Sequence, residues 1–151
     1  MAIFDGLKIA ASGLSAQRRA MDIIAENIAN ANTTHTISGE PYRRKVAVFA
    51  AKPIHHEEDE DGFELASFDE ELEGQLQGVE VAGVREDNAP FRKVYDPTNP
   101  DADENGYVYL PNVNIITEMT NMIQASRAYE ANITVIESIK SMAQYALQIA
   151  K

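Results

Sequence analysis

The chain has 151 residues, of which 44% are hydrophobic and 25% charged, with no cysteine and a formal net charge of −11 at pH 7. This length predicts one domain, and the hydrophobic content is ordinary for a soluble protein. The lack of cysteine excludes disulfide bonds, thiolate nucleophiles and thiolate metal sites.

The negative charge is concentrated in the middle of the chain. Residues 55–104 contain 17 Asp and Glu against 3 Arg and Lys, a local charge of −14, so the remaining residues sum to +3. An acidic surface is repelled by nucleic acid and by anionic membranes, so neither is expected as a partner. There is no run of about 18 apolar residues, and the first residues lack the basic start and apolar core of a secretory signal. We therefore expect no direct membrane insertion.

The N-terminal segment, from Ile3 to about Ala31, is predicted to be a helix. Its residues at alternating intervals of three and four form a seam that is apolar except for Gln17: Leu7, Ala10, Leu14, Gln17, Met21, Ile24, Ile28 and Ala31. This spacing is typical of a helix that packs along another long helix. Asn27, Asn30 and the threonines that follow can bond to the backbone through their side chains, which indicates the end of the helix.

The middle of the chain has the period-two pattern of strands. Four strands are predicted, at Val46–Phe49, Gly78–Asp87, Phe91–Tyr95 and Tyr107–Leu110. We expect the second and third to pair through the connection Asn88–Pro90, which would form a small antiparallel sheet.

Two stretches of the middle carry candidate metal ligands. His55 and His56 precede five consecutive acids, but adjacent positions on one chain rarely converge on a single ion, so a solvated loop is preferred. Asp101, Asp103, Asn105 and Gly106 match the first half of an EF-hand calcium loop. The twelfth position is Asn112 instead of a bidentate Glu, and nearby prolines bar the flanking helices, so a turn is the preferred interpretation. We predict no metal and no cofactor.

The C-terminal segment is predicted to be one long helix, capped by Asn114 and running to Lys151 without Gly or Pro. At 1.5 Å per residue it would extend roughly 55 Å, so it needs a long partner, and the first helix is one. The expected fold is α+β: the terminal helices pair as a coiled-coil-like hairpin, with a small β-rich lobe inserted between them. The expected division is 1–34 and 112–151 for the helical domain and 35–111 for the lobe, with an acidic loop at about 54–77.

Both ends of the chain resemble the family of flagellar rod and hook axial proteins. The resemblance lies in Ser12–Thr33, with Asn27, Ala29, Asn30 and Thr33 in place, and in Glu118–Ile123 and Ser126–Asn132. Three further segments resemble the proximal rod members of this family: Glu40–Lys45, Pro90–Pro97 and Asn105–Asn114. The region from about Ile54 to Gln77 is longer and more acidic than that pattern, so its role stays open.

The resemblance implies a structural subunit of the bacterial flagellar basal-body rod that polymerises with other rod proteins and with copies of itself and transmits torque to the hook. It also implies export by the flagellar type III apparatus without a cleaved signal peptide, to the periplasmic part of the basal body. The expected assembly interface comprises Leu7, Leu14, Met21, Ile24, Asn27, Ile28, Asn30, Met119, Met122, Arg127, Tyr129, Ile133, Ile136 and Leu147.

Three other classes of protein fit the sequence less well. A sibling rod or hook protein would share both terminal motifs, and the Phe91–Pro97 segment argues against it. A soluble coiled-coil adaptor would fit the helices equally well, and only the family motifs disfavour it. An enzyme would need a spaced set of nucleophile and base, and the sequence contains none, so no catalytic residue is predicted.

Overall fold

Two long helices at the chain ends enclose four strands. The computed structural model describes residues 2–53 and 76–149. Its elements in chain order are α1 (Ala2–Ala29), β1 (Lys45–Pro53), β2 (Gln77–Glu86), β3 (Arg92–Tyr95), β4 (Tyr107–Leu110) and α2 (Ile115–Ile149). The fold is α+β, as expected, and the helix bounds fall within two residues of those predicted. Neither helix, over its described residues, has the length and hydropathy that crossing a bilayer requires.

The helices α1 and α2 lie antiparallel along each other. A Cβ atom added at Gly6 would lie 3.3 Å from Cδ1 of Ile139, and one added at Gly13 would lie 2.9 Å from Nδ2 of Asn132. Further along α1, the Asn27 side chain bonds to that of Glu118 on α2. From the first of these contacts to the last, the residue number rises by 21 on α1 and falls by 21 on α2. The register of the helical hairpin is therefore constant along this length.

The buried side of α1 is built from small residues. The buried positions follow the three-four spacing and include Ala10, Gly13, Ala16, Ala20, Ile23 and Asn27. The predicted seam coincides with the buried side only at Ala10 and Ala31, whereas Leu14, Met21, Ile24 and Ile28 are half-buried and Leu7 is 37% exposed. The helix pair is therefore present, but coiled-coil packing through the predicted seam is not confirmed. Small side chains let α1 approach α2 and the strands closely at the same time.

The strands β1 and β2 form an antiparallel hairpin that packs against α1. Their register runs from the pair Lys45 and Glu86 to the pair Pro53 and Gln77, with an irregularity after Val48 that bends the ribbon. Ser12 of α1 holds the start of β2, because its Oγ accepts a hydrogen bond from Val79 N at 3.1 Å. A Cβ atom at the preceding residue, Gly78, would lie only 2.6 Å from that Oγ, so the close approach requires glycine.

The strand pairing differs from the prediction. β3 pairs antiparallel with β4, from Arg92 opposite Leu110 to Tyr95 opposite Tyr107, and β2 pairs with β1, so the expected pairing of β2 with β3 is wrong. Hydrogen bonds to distant residues replace a tight turn at Asn88–Pro90. Asp87 N donates to Arg44 O at 2.8 Å, and the Asn112 side chain donates to Asp87 O at 2.9 Å. These bonds direct the chain away from β2.

The start of α2 is capped as the sequence predicts. Asn114 Oδ1 accepts hydrogen bonds from the backbone N of Ile116 at 3.0 Å and of Thr117 at 3.3 Å. Along α2, the described side chains that are buried are Glu118 and Ala125. Most of this 35-residue helix therefore presents its surface to the surroundings.

Candidate functional site

A group of buried and half-buried polar side chains connects the two helices to the strands. This polar junction consists of Asn27, Tyr42, Arg44, Asp87, Asn112 and Glu118, together with the backbone of Lys45. Asn27 and Glu118 are only 0% and 1% exposed. Polar groups at this depth lower stability unless they are bonded, so each must have partners.

Asn27 uses both ends of its amide. Its Nδ2 donates to Lys45 O at 2.8 Å and to Glu118 Oε2 at 2.9 Å. Its Oδ1 accepts from the Tyr42 hydroxyl at 3.0 Å and from Lys45 N at 2.8 Å. Two donors and two acceptor positions are all occupied, which an aspartate, with no amide hydrogens, could not reproduce.

Glu118 and Arg44 form the charged part of the junction. Glu118 Oε1 accepts a hydrogen bond from Arg44 Nε at 2.9 Å and lies 2.8 Å from Arg44 Nη2. Arg44 Nη1 lies 3.4 Å from Asp87 Oδ2. Burial lowers the pKa of Arg44, but the bonds and charges of Glu118 and Asp87 outweigh it, so the net pKa is raised and the guanidinium stays charged. The pKa of Asp87 is lowered, first by the backbone N–H of Ala89 and then by Arg44.

Asn112 links the junction to the second pair of strands. Its Oδ1 accepts from Arg44 N at 2.8 Å, and its Nδ2 donates to Asp87 O at 2.9 Å and Ala89 O at 3.2 Å. The junction thus joins α1, α2, the start of β1, the end of β2 and the end of β4. An arrangement of this kind fixes the orientation of the strands on the helices, because moving either part would break several buried bonds.

The junction makes stability depend on pH through Tyr42. Burial, followed by the charges of Glu26, Glu118 and Glu86, raises the pKa of Tyr42 from 10.0 to about 12. The folded chain therefore holds the phenolic proton more tightly than the unfolded chain. The resulting stabilisation is fully present below pH 10.0 and is lost as the pH rises through about 12.

We expect the urea concentration at the unfolding midpoint to decrease as the pH is raised from 10.0 to about 12. In Tyr42→Phe this decrease should be smaller. Tyr145→Phe is the matched control, because Tyr145 is 65% exposed on α2. Urea denaturation at each pH, followed by circular dichroism, gives the midpoint of the unchanged protein and of both variants. Equal pH profiles for Tyr42→Phe and the unchanged protein would contradict the prediction.

The segment that resembles half a calcium loop forms a turn into β4. Asp103 Oδ1 accepts from the backbone N of Asn105 and of Tyr107, each at 2.9 Å, and Asp101 accepts from the Thr34 hydroxyl. Gly106 has a φ of +79°, a conformation that favours glycine. Among the described residues, no three His, Asp or Glu side chains are placed to hold a metal ion. The candidate ligands at 55–61 lie outside the described residues.

The residues of the predicted assembly interface occupy different environments. Leu7, Met119, Arg127 and Leu147 are exposed, and Asn27 is buried inside the polar junction. The half-buried positions are Leu14, Met21, Ile24, Ile28, Asn30, Met122, Tyr129, Ile133 and Ile136. Asn30 is engaged locally, since its Nδ2 donates to Glu26 O and its Oδ1 accepts from the Thr33 hydroxyl.

Sequence patterns predicted no structural role for Tyr42, Arg44, Asn112 or Glu118. One signal for Glu118 was available: it lies directly before Met119, an apolar residue of the expected assembly interface, and a charge buried among apolar residues needs a partner. The identity of that partner was not readable, because Arg44 is 74 residues away in the chain.

Nine of the nineteen large apolar residues that the fold leaves exposed, among the described residues, lie on α2. Near its start they include Ile116 at 77%, Met119 at 55% and Ile123 at 54% exposed. Near its end they are Met142 at 56%, Tyr145 at 65%, Leu147 at 71% and Ile149 at 86% exposed. Such patches mark interaction surfaces in proteins that work in complexes.

Comparison with known proteins agrees with this architecture. Residues 7–34 match the family described as flagella basal body rod protein, and residues 104–149 match the family described as flagellar basal body rod FlgEFG protein C-terminal. The first match covers most of α1, and the second covers β4 and α2. The two helices that form the hairpin therefore carry both family matches.

Curated relatives match over nearly the whole chain. The flagellar basal-body rod protein FlgC of Borreliella burgdorferi is 45% identical, over 99% of this chain and 98% of its own. The FlgC proteins of Bacillus subtilis and Salmonella typhimurium are 38% and 41% identical, over 100% and 94% of this chain and 100% and 93% of their own. The chain therefore belongs to the FlgC family of flagellar basal-body rod proteins.

Proposed function

We propose that this protein is a structural subunit of the flagellar basal-body rod. It polymerises helically with other rod proteins and with copies of itself, and it transmits motor torque to the hook. The observation that carries the proposal is the exposed apolar surface of α2, on a chain that matches rod proteins along nearly all its length.

The end of α2 supports assembly through the helices. Met142, Tyr145 and Ile149 follow a three-four spacing on one side of the helix, and Leu147 lies on another side. Apolar residues on several sides of one helix are stabilised only when neighbours cover it on those sides, at about 25 cal/mol per Å² of apolar surface buried. An open head-to-tail array supplies such neighbours repeatedly.

The assembly interface in this proposal is the predicted set on α1 and α2 without the buried Asn27, extended by Ile116, Ile123 and Met142. Met119 and Leu147 contribute directly from the exposed surface. The half-buried members, such as Ile133 and Ile136, contribute the parts of their side chains that the hairpin leaves uncovered. The polar junction sets the angle at which the strands of 35–111 stand on the helical segments 1–34 and 112–151.

The subunit acts in the periplasmic part of the basal body. It is exported by the flagellar type III apparatus without a cleaved signal peptide, and its partners are the other rod proteins. A chain without cysteine suits this route, since no disulfide obstructs passage through a narrow channel. The function is assembly, without catalysis or a cofactor, and family membership disfavours a soluble coiled-coil adaptor.

Deletion and tagging in the flagellated host test the proposal. We expect a deletion strain to lack rods and to be non-motile, and a tagged copy to restore both and to be visible in the rod of purified basal bodies by electron microscopy. A deletion strain that swims normally, or a tag found only in the cytoplasm, would refute it.

A further inference from the structure

One face of the ribbon formed by β3 and β4 is rich in aromatic and basic residues. Residues directly opposite each other in the register share a face, which places Lys93 with Tyr109 and Tyr95 with Tyr107. We call these four residues the aromatic face. The other side of the ribbon is directed inward at Val108, which is 3% exposed. The aromatic face looks outward, with Tyr95 at 65% and Tyr109 at 40% exposure.

The side chains of the aromatic face are ordered by contacts with one another. Lys93 Nζ lies 4.1 Å from the ring centroid of Tyr107 and 5.4 Å from that of Tyr109. The rings of Tyr95 and Tyr107 meet edge to face, with centroids 5.2 Å apart. Phe91 directly precedes β3, and the Arg43 guanidinium lies 4.3 Å from the centroid of its ring. Cations held against rings in this way lose little freedom when they bind a ligand.

The two cations on this surface have no anionic partner in the described part of the chain. Across residues 2–53 and 76–149, no carboxylate lies within 4.0 Å of the charged nitrogens of Lys93 or Arg43. Tyrosine and arginine are also the residue types that anchor protein interfaces most strongly. The chemistry that fits this surface is a peptide rich in carboxylates, with apolar side chains to pack on the rings.

The chain itself contains such a peptide. Residues 54–75, which lie between β1 and β2, carry ten Asp and Glu and no Lys or Arg. The same segment contains Phe63, Leu65, Phe68 and Leu72 among its acids. Its charge is opposite to that of Lys93 and Arg43, and every copy of the chain brings one such segment and one aromatic face.

The residues that flank the segment 54–75 and the aromatic face lie at opposite ends of the lobe. The chain leaves and re-enters the described structure beside Ser12, where Val79 N bonds to Ser12 Oγ at 3.1 Å. The β3–β4 ribbon is held beyond the other end of α1, where the Thr34 hydroxyl bonds to Asp101. Ser12 and the end of α1 are separated by about 25 Å of helix at 1.5 Å per residue. Complementary surfaces at opposite ends of a subunit form contacts between successive copies in an open array.

We propose that the aromatic face binds the acidic segment 54–75 of a neighbouring copy of this chain. The inference rests on the proposed function, since an axial array is what brings successive copies into this arrangement. Carboxylates of the segment pair with Lys93 and Arg43, and its phenylalanines and leucines pack on the exposed tyrosine rings. The contact lies outside the terminal helices and ties neighbouring lobes together.

A binding experiment with a synthetic peptide of residues 54–75 tests this contact directly. The labelled peptide is titrated with the full-length protein at low salt and followed by fluorescence anisotropy. We expect saturable binding that weakens as salt is added, since exposed charges are screened. Lys93→Glu and Tyr95→Ala should each weaken binding about tenfold or more. A peptide with its acids replaced by Asn and Gln should not bind.

Two substitutions on α2 are matched controls. Lys140→Glu makes the same charge change at an exposed position, and Tyr145→Ala removes a tyrosine with the same 65% exposure as Tyr95. Both should leave peptide binding unchanged. The inference would be overturned if the peptide did not bind, or if the α2 variants lost as much affinity for the peptide as Lys93→Glu and Tyr95→Ala. Rod assembly in cells is scored separately, so a chain that forms rods but does not bind the peptide would refute only this contact.

Discussion

Glu118→Ala is expected to lower the free energy of unfolding by about 3 to 5 kcal/mol, the range measured when one partner of a buried ion pair is removed. The substitution leaves Arg44 with Asp87 as its remaining carboxylate, at 3.4 Å. It also removes one of the two acceptors of the Asn27 amide hydrogens. The Asn27 amide lies where water cannot replace the missing bond, since Asn27 is 0% exposed, whereas Arg44 keeps partial contact with water. Urea denaturation of the purified monomer measures the change.

A second acid on α2 is the control for this prediction. Glu130 is exposed, so Glu130→Ala removes the same charge from the same helix and should change stability by less than about 0.5 kcal/mol. A double-mutant cycle between Glu118→Ala and Asn27→Ala should show a coupling energy of about 0.5 to 3 kcal/mol, because the two side chains bond directly. Equal effects of the Glu118 and Glu130 substitutions would show that the junction does not stabilise the fold.

Leu147→Asp is expected to abolish rod formation and motility while the monomer stays folded. Leu147 is 71% exposed, so a charge there has little to disrupt within the single chain. If neighbouring subunits bury this position in the rod, an unpaired carboxylate at each repeated contact costs roughly 2 to 5 kcal/mol. Circular dichroism of the monomer, electron microscopy of basal bodies and swimming assays together separate a folding defect from an assembly defect.

The control places the same charge elsewhere on the helix. Gln124 is an exposed polar residue of α2, and Gln124→Asp should leave folding, rods and swimming intact. If Leu147→Asp cells swim like those with Gln124→Asp, the end of α2 is not an assembly surface. Loss of the monomer fold in Leu147→Asp would equally contradict the exposure on which the prediction depends.

Local patterns were sufficient to predict every described helix and strand. The run without Gly or Pro after Asn114 predicted α2, and the alternation at Tyr107–Leu110 predicted β4 with its observed bounds. These signals depend on neighbours within a few residues, so they are present in the sequence itself. The helical hairpin was predictable for a similar reason, because one very long helix needs a partner of comparable length.

The pairing of the strands and the side of α1 that is buried could not be predicted in the same way. The connection at Asn88–Pro90 has the composition of a turn, yet Asp87 is bonded to Arg44 and Asn112, so β2 and β3 separate. The predicted seam of α1 contains its larger apolar residues, whereas the buried stripe consists mainly of alanine and glycine. Size alone misidentifies the packed face when three elements must approach one helix closely.

The α+β class, the order of the elements, the cap at Asn114 and the family resemblance were predictable, because each depends on residues that are close together in the chain. The position of Asn27 inside the fold, and not on a surface, follows from contacts between distant segments. Its partners Lys45 and Glu118 are 18 and 91 residues away. The favourable free energy of those buried bonds exists only after the distant segments have packed together and excluded water.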